Sequence, residues 1–299
     1  MNRSFAVTTS VLGIAWLGFV TCVCVSQTAP VVAPAAKSES GITSYLEFEG
    51  TSDSSGQAYV LNSSVGYNFN RHFGTDVGVP VYFVRASATS TSGATSNNGI
   101  GNPFLDFRLK FLNPTLSFGS KLTGFVPVGD SKLGFSTGRA TFDWTNRVEH
   151  GFESLTPFAE VGIANTVVDT RLFVRPYTTL GLNSHYRAGA DYDLWKFFSI
   201  GAAGYDIAPW GQQTVFSRVV HGPQSTGHAP HGRTFQNAQQ TSGSASIASD
   251  NGFSAWIDAN PGGAVDLELG YTRSVHYDLN AVSFGIGFNP TRLYRRNGQ

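Results

Sequence analysis

The sequence predicts an all-β protein, a transmembrane antiparallel up-and-down β-barrel of about twelve strands. Three observations carry the prediction. Apolar and polar residues alternate with period two in segment after segment between Ile42 and Phe288, as in a strand with one greasy and one wet face. Many segments run about ten residues, long for a soluble strand but suited to a tilted bilayer crossing. The connections also alternate, mostly long and polar on one side and short on the other, as in outer-membrane barrels.

The chain opens Met-Asn-Arg and stays apolar from Phe5 to Val25. That reads as a secretory signal peptide over 1–26, with cleavage after Ser26 or Ala29. An uncleaved membrane helix is the rival reading, since the run is long enough to span. Cys22 and Cys24 lie inside it and neither follows a small residue as a lipidation site requires. A mature chain would therefore carry no cysteine, which excludes disulfides and thiolate metal sites. Residues 27–41, rich in Pro and Ala, read as a periplasmic linker.

The barrel is expected over 42–289. In its first strand Ile42, Leu46 and Phe48 oppose Thr43, Tyr45, Glu47 and Glu49. A hairpin follows from Gln57 to Arg85. Its first half sets Tyr59, Leu61, Val65, Tyr67 and Phe69 against Asn62, Ser64, Gly66 and Asn68; after the polar turn NRHF, Val77, Val79, Val81 and Phe83 oppose Asp76, Gly78, Pro80 and Tyr82. Aromatics near the strand ends suit a membrane interface. Further on, Phe107, Leu109 and Phe111 oppose Asp106, Arg108 and Lys110, and Leu116, Phe118 and Leu122 oppose Ser117, Gly119 and Lys121. Phe142, Trp144 and Val148 oppose Asp143, Thr145, Arg147 and Glu149; the stretch from Thr156 to Val168 opposes Val161, Ile163 and Val167 to Glu160 and Gly162. Residues 175–189 oppose Leu180, Leu182 and Tyr186 to His185 and Arg187. The strands FFSIGAAGYDI, GFSAWIDA, AVDLELGYTRSVH and AVSFGIGF complete the set. The longest connection, 209–251, is expected to be extracellular, which with an even strand count puts both termini in the periplasm. The barrel is expected in the outer membrane. Residues 290–299, with Arg292, Arg295 and Arg296, read as a basic C-terminal tail.

Twenty basic and twenty acidic residues leave no net charge, which argues against a nucleic-acid partner. The expected partners are outer-membrane lipid, a small-molecule solute and the barrel-assembly machinery. No cofactor is expected, and the sequence is silent on oligomeric state. A soluble β-sandwich also alternates, but it hides its apolar face in a core and uses shorter strands. It gives no reason for a charged face this dense.

The run Gly99-Ile100-Gly101-Asn102, followed by a strand with Arg108 and Lys110, resembles the hairpin opening of outer-membrane barrels associated with the meta-pathway of phenol degradation. Phe125-Val126-Pro127-Val128-Gly129-Asp130 resembles the segment that follows it in that family, with Asn102 and Val128 departing from the pattern. The resemblance covers about thirty residues. It implies a passive channel for small, often hydrophobic or aromatic compounds.

Two serine strings lie in one connection, Gly129-Asp130-Ser131-Lys132-Leu133 and Gly134-Phe135-Ser136-Thr137-Gly138. The second fits a nucleophile elbow only on a strand-to-helix turn with His and Asp partners, and no helical period follows it. A Gly/Ser-rich loop is the better reading, and no enzyme is expected. His221, His228 and His231 cluster in the longest connection and form a weak metal candidate. With no acid between Arg218 and Thr241, a solvated loop is preferred.

The functional content lies on the inward face: Glu47, Asp76, Asp106, Arg108, Lys110, Lys121, Asp143, Arg147, Glu149, Glu160, His185, Arg187, Asp266 and Glu268 are the expected pore-lining residues. Charges inside a barrel need a hydrated lumen or mutual pairing. The mixed signs predict little charge selectivity. Three functions follow, in order of preference: a diffusion channel for small solutes, a structural or display barrel closed by its own ion pairs, and an outer-membrane lipid hydrolase.

Overall fold

The computed structural model describes residues 40–87, 95–113, 116–220, 234–261 and 264–290. The leader, most of the linker, nearly all of the basic tail and the histidines His221, His228 and His231 lie outside the described residues.

Alternation becomes sheet over most of the described chain. The strands are β1 (Gly41–Asp53), β2 (Gly56–Asn68), β3 (Phe73–Ala86), β4 (Ser96–Ile100), β5 (Phe104–Phe111), β6 (Ser117–Phe125), β7 (Thr141–Glu149) and β8 (Leu155–Ala164). They continue as β9 (Tyr177–Leu180), β10 (Asn183–Trp195), β11 (Phe198–Pro209), β12 (Gln213–Ser217), β13 (Gln240–Gly243), β14 (Asp250–Ala259), β15 (Val265–Ser274) and β16 (Leu279–Phe288). One short helix, α1 (Thr234–Asn237), precedes β13.

Twelve of these close into an antiparallel barrel. The order runs β1, β16, β15, β14, β11, β10, β8, β7, β6, β5, β3, β2, and β2 pairs back to β1. Closure leaves no strand edge open to another chain. β4 pairs with the upper part of β3, from Val81 to Arg85, while β5 pairs with its lower part.

At one end the turns are tight. The Asn70 side chain accepts the His72 and Phe73 N–H groups at 2.8 and 2.9 Å, and the Phe69 N–H donates to the Phe73 carbonyl at 2.9 Å. Asn at that turn position satisfies backbone donors that the ladder leaves over. The other end carries the long connections.

The outward parity is apolar and uncovered around the wall. Ile42, Val65, Val77, Leu105, Leu122, Trp144, Val161, Tyr186, Ile257, Leu269, Val282 and Ile286 are all exposed. An apolar band of this extent has no counterpart on soluble monomers and matches the lipid-facing belt of a membrane barrel.

Two segments depart from the sequence reading. The wall strand from Thr156 stops at Ala164, and Val167 turns inward and is buried. The alternation at 175–182 builds no wall either. β9 instead pairs with β12, which pairs with β13, in a small separate sheet. Pro176 lacks the N–H a ladder needs, and Gly181 has a φ of 151°. The break between them and the wall strand that starts at Asn183 is local backbone chemistry overriding a side-chain pattern.

Polar-inward alternation also ends before the long-loop end. There the inward residues are Ala58, Val60, Val84, Ala86, Leu279 and Ala281, and loop residues Phe135, Phe173, Val174, Tyr177, Val215, Val219 and Phe235 pack on them as one buried apolar cluster. The described parts of the long connections therefore fold into the mouth. Burying those side chains stabilises the cap by about 1.5–3 kcal/mol for each large one.

Candidate functional site

Below that cap the inner face is charged, and a single loop shapes it. Residues 165–176, between β8 and β9, dip into the barrel. The Val174 N–H donates to Thr51 Oγ1 at 2.8 Å, and Thr272 Oγ1 donates to the Leu172 carbonyl at 3.0 Å. The wall makes room for the loop with glycine. A Cβ on Gly270 would stand 2.5 Å from Leu172 Cδ2, and one on Gly285 would stand 3.3 Å from Arg171 Nη2.

Arg171 occupies the seat so formed. Its Nε lies 2.6 Å from Glu47 Oε1, and its Nη1 lies 2.8 Å from Asp266 Oδ2 and 3.3 Å from Glu268 Oε2. These acids project from β1 and β15 on either side of β16, whose inward Gly285 and Gly287 leave the gap between them. Glu47, Glu49, Asp258 and Asp266 are all buried. One guanidinium thus offsets a crowd of carboxylates that could not otherwise stay together out of water.

The opposite wall carries further pairs. Arg108 Nε is 2.5 Å from Asp76 Oδ2. Arg147 bridges Glu149 at 2.8 Å and Glu160 at 2.7 Å, with its guanidinium carbon 3.9 Å from the centre of the Phe158 ring. Arg187 Nη1 stands 3.7 Å from Glu160 Oε2, with its guanidinium carbon 5.2 Å from the Phe158 and Trp256 ring centres. His185 Nε2 is 2.9 Å from Asp143 Oδ2, and Gly162 on the neighbouring strand leaves space for the imidazole. Asp106, Lys110 and Lys121 share this inward parity on β5 and β6. Lys121 is exposed, and among the described residues no atom beyond Gly119 and its two chain neighbours lies within 4 Å of where a Cβ on inward-facing Gly119 would be. Space is therefore open beside Gly119 on β6, while Leu172 and Arg171 fill the side of Gly270 and Gly285.

Nearer the long-loop end a second arginine ties the loops together. Arg218 donates to Asp169 Oδ2 and to the Arg175 carbonyl, both at 2.8 Å, and to the Gly134 carbonyl at 3.1 Å. Its guanidinium carbon sits 4.3 Å from the Tyr82 ring centre. Burial alone would lower the Arg218 pKa, but the Asp169 carboxylate outweighs it and holds the group above its usual value.

Neither serine string stands in a nucleophile elbow. Ser131 opens a 3-10 turn capped by Asp130. Ser136 Oγ accepts the Gly138 N–H at 3.0 Å, and the next element is strand β7 rather than a helix.

No protein-family model matches the chain, and no curated protein matches it. Among solved structures, an outer membrane channel from Pseudomonas putida F1 superposes with a TM-score of 0.56 at 13% sequence identity, covering 88% of this chain and 100% of that chain. The chain shares the fold of an outer-membrane channel barrel. Two further structures superpose with lower scores. A KdgM porin in complex with disordered oligogalacturonate has a TM-score of 0.48 at 9% identity, covering 82% of this chain and 98% of that chain. A NanC porin has 0.46 at 8%, covering 81% and 98%. At these identities the likeness is one of fold.

Arg171 is a site residue that the sequence reading omits, as are Asp258, Asp169 and Arg218. Arg171 falls between the alternating stretches 156–168 and 175–189 of the sequence reading, although acids surplus to the cations on β1 and β15, facing glycines on β15 and β16, mark a vacancy for a base.

Proposed function

We propose that the chain is an outer-membrane channel for diffusion of small solutes, with the long connections extracellular and both termini periplasmic. The observation that carries this reading is a closed barrel, apolar outside and charged inside, with open space beside Gly119 and an exposed Lys121 at the level of the paired charges. A barrel serving only as a scaffold has no need of hydrated charge there. The expected lining residues, from Glu47 and Asp76 to Glu268, form the constriction together with Arg171. The resemblance of the segments at Gly99 and Phe125 to phenol meta-pathway barrels supports small aromatic compounds among the solutes. Lipid and barrel-assembly machinery are the partners this reading requires.

The apolar cap favours a second reading, a barrel shut by its own loops and acting through them. Planar-bilayer recording of the purified, folded protein separates the two. Discrete conductance steps are expected of the channel. Silence from protein that still migrates as a folded barrel on gels would establish the closed form instead.

A further inference from the structure

Formal charge along the inner wall is mixed, yet its exposure is not. In the Arg108–Asp76 pair the side chains are 19% and 15% exposed. In Arg187–Glu160 they are 25% and 18%, and in His185–Asp143 they are 24% and 9%. Arg171 is 16% exposed against 8–11% for its three acids. In each pair the carboxylate is the more deeply buried partner and the base is more open to the passage. Arg147 is 10% exposed against 8% for Glu149 and 18% for Glu160, so its pair with Glu160 runs the other way.

Lys121 adds to this imbalance. It is exposed beside the open space at Gly119, and among the described residues no carboxylate lies within ion-pair distance of Lys121 or of neighbouring Lys110. A buried carboxylate that already accepts from an arginine interacts weakly with a passing ion, whereas an unpaired ammonium in water interacts fully.

We infer that the constriction prefers anions, so that the solutes it passes best are small anions such as carboxylates. Lys121 is the main specificity-determining residue, with Arg187, Arg108 and Arg171 behind it. This departs from the expectation of little charge selectivity and rests on the channel reading.

The test is the reversal potential of the purified full-length mature protein across a salt gradient, with potassium chloride and again with potassium acetate. Both salts should give a potential of the sign that marks anion over potassium permeation. Lys121→Gln should lower the anion-to-cation permeability ratio by at least about fivefold at low salt, because a unit charge at close approach in water favours the anion and disfavours the cation by about that factor each, and Lys121→Glu should lower it further. A potassium preference, or none, in either salt overturns the inference even if Lys121→Glu fails to fold, because the unmodified protein decides it. A ratio unmoved by Lys121→Gln in a barrel with folded mobility overturns the role of Lys121. Absence of any conductance overturns the channel reading itself, which is a distinct result.

Discussion

Replacing Arg171 by alanine is the sharpest perturbation of the lumen. The guanidinium reaches Glu47, Asp266 and Glu268 at 2.6, 2.8 and 3.3 Å, and all four side chains are largely buried. Solvent screening therefore discounts the interaction little. Removing one member of a buried charge cluster costs about 3–5 kcal/mol, mainly because the acids lose their partner. With about 2–4 °C lost per kcal/mol in a chain of this size, the transition should fall by about 10 °C. The assay is the temperature at which folded gel mobility converts to boiled mobility, at one fixed heating rate because barrel unfolding is often irreversible. Single-channel conductance should rise in the same variant, since the anchor of the inserted loop is gone. Combining Arg171→Ala with Glu268→Gln should cost less than the sum of the two, because the acid no longer needs the base. A transition within about 3 °C of the parent, with unchanged conductance, would refute the claim that this ion cluster holds the loop.

Gly285→Val places branches where a Cβ already approaches Arg171 Nη2 at 3.3 Å; it should cost about 1–3 kcal/mol and raise conductance as Arg171→Ala does, and a neutral result on both counts contradicts the seat. Leu269→Arg, on the exposed outward parity of β15, should cost about 2–4 kcal/mol near the bilayer midplane and lower the folded fraction in membranes; full tolerance would mean this face meets water. Arg218→Ala removes the hydrogen bonds to Asp169, Arg175 and Gly134 and should loosen the cap by about 3–5 kcal/mol, read as faster protease cleavage in the long connections, so unchanged cleavage would remove Arg218 from that role.

The wall was legible because strand chemistry is local. Val77 to Phe83 against Asp76 to Tyr82, or Val282 to Phe288 against Ala281 to Gly287, fixes both the strand and its two faces. What escaped reading depended on where loops go. Val60, Val84 and Leu279 interrupt or blur the polar face, and only the inward-folded loops explain why apolar residues point there. Residues 175–182 alternate as well as a wall strand does, so their pattern cannot distinguish the barrel from the sheet beneath its mouth. Pro176 and Gly181 were the local clues. Arg171 left no pattern of its own, since a loop residue has no period. The inward parity of most of these charges was read from the sequence, but how exposed each partner of a pair is follows from depth, and no one-dimensional pattern records depth.

The central claim is that adjacent residues of one strand face water and lipid in turn. Cys22 and Cys24 are the chain's two cysteines, so with both changed to serine, single cysteines can be scanned through β6. Reaction with a charged, membrane-impermeant thiol reagent in reconstituted vesicles should be fast at Lys121→Cys and negligible at Leu122→Cys and Phe118→Cys, which a lipid-soluble reagent should reach. Equal reaction of all three with the charged reagent would contradict the account.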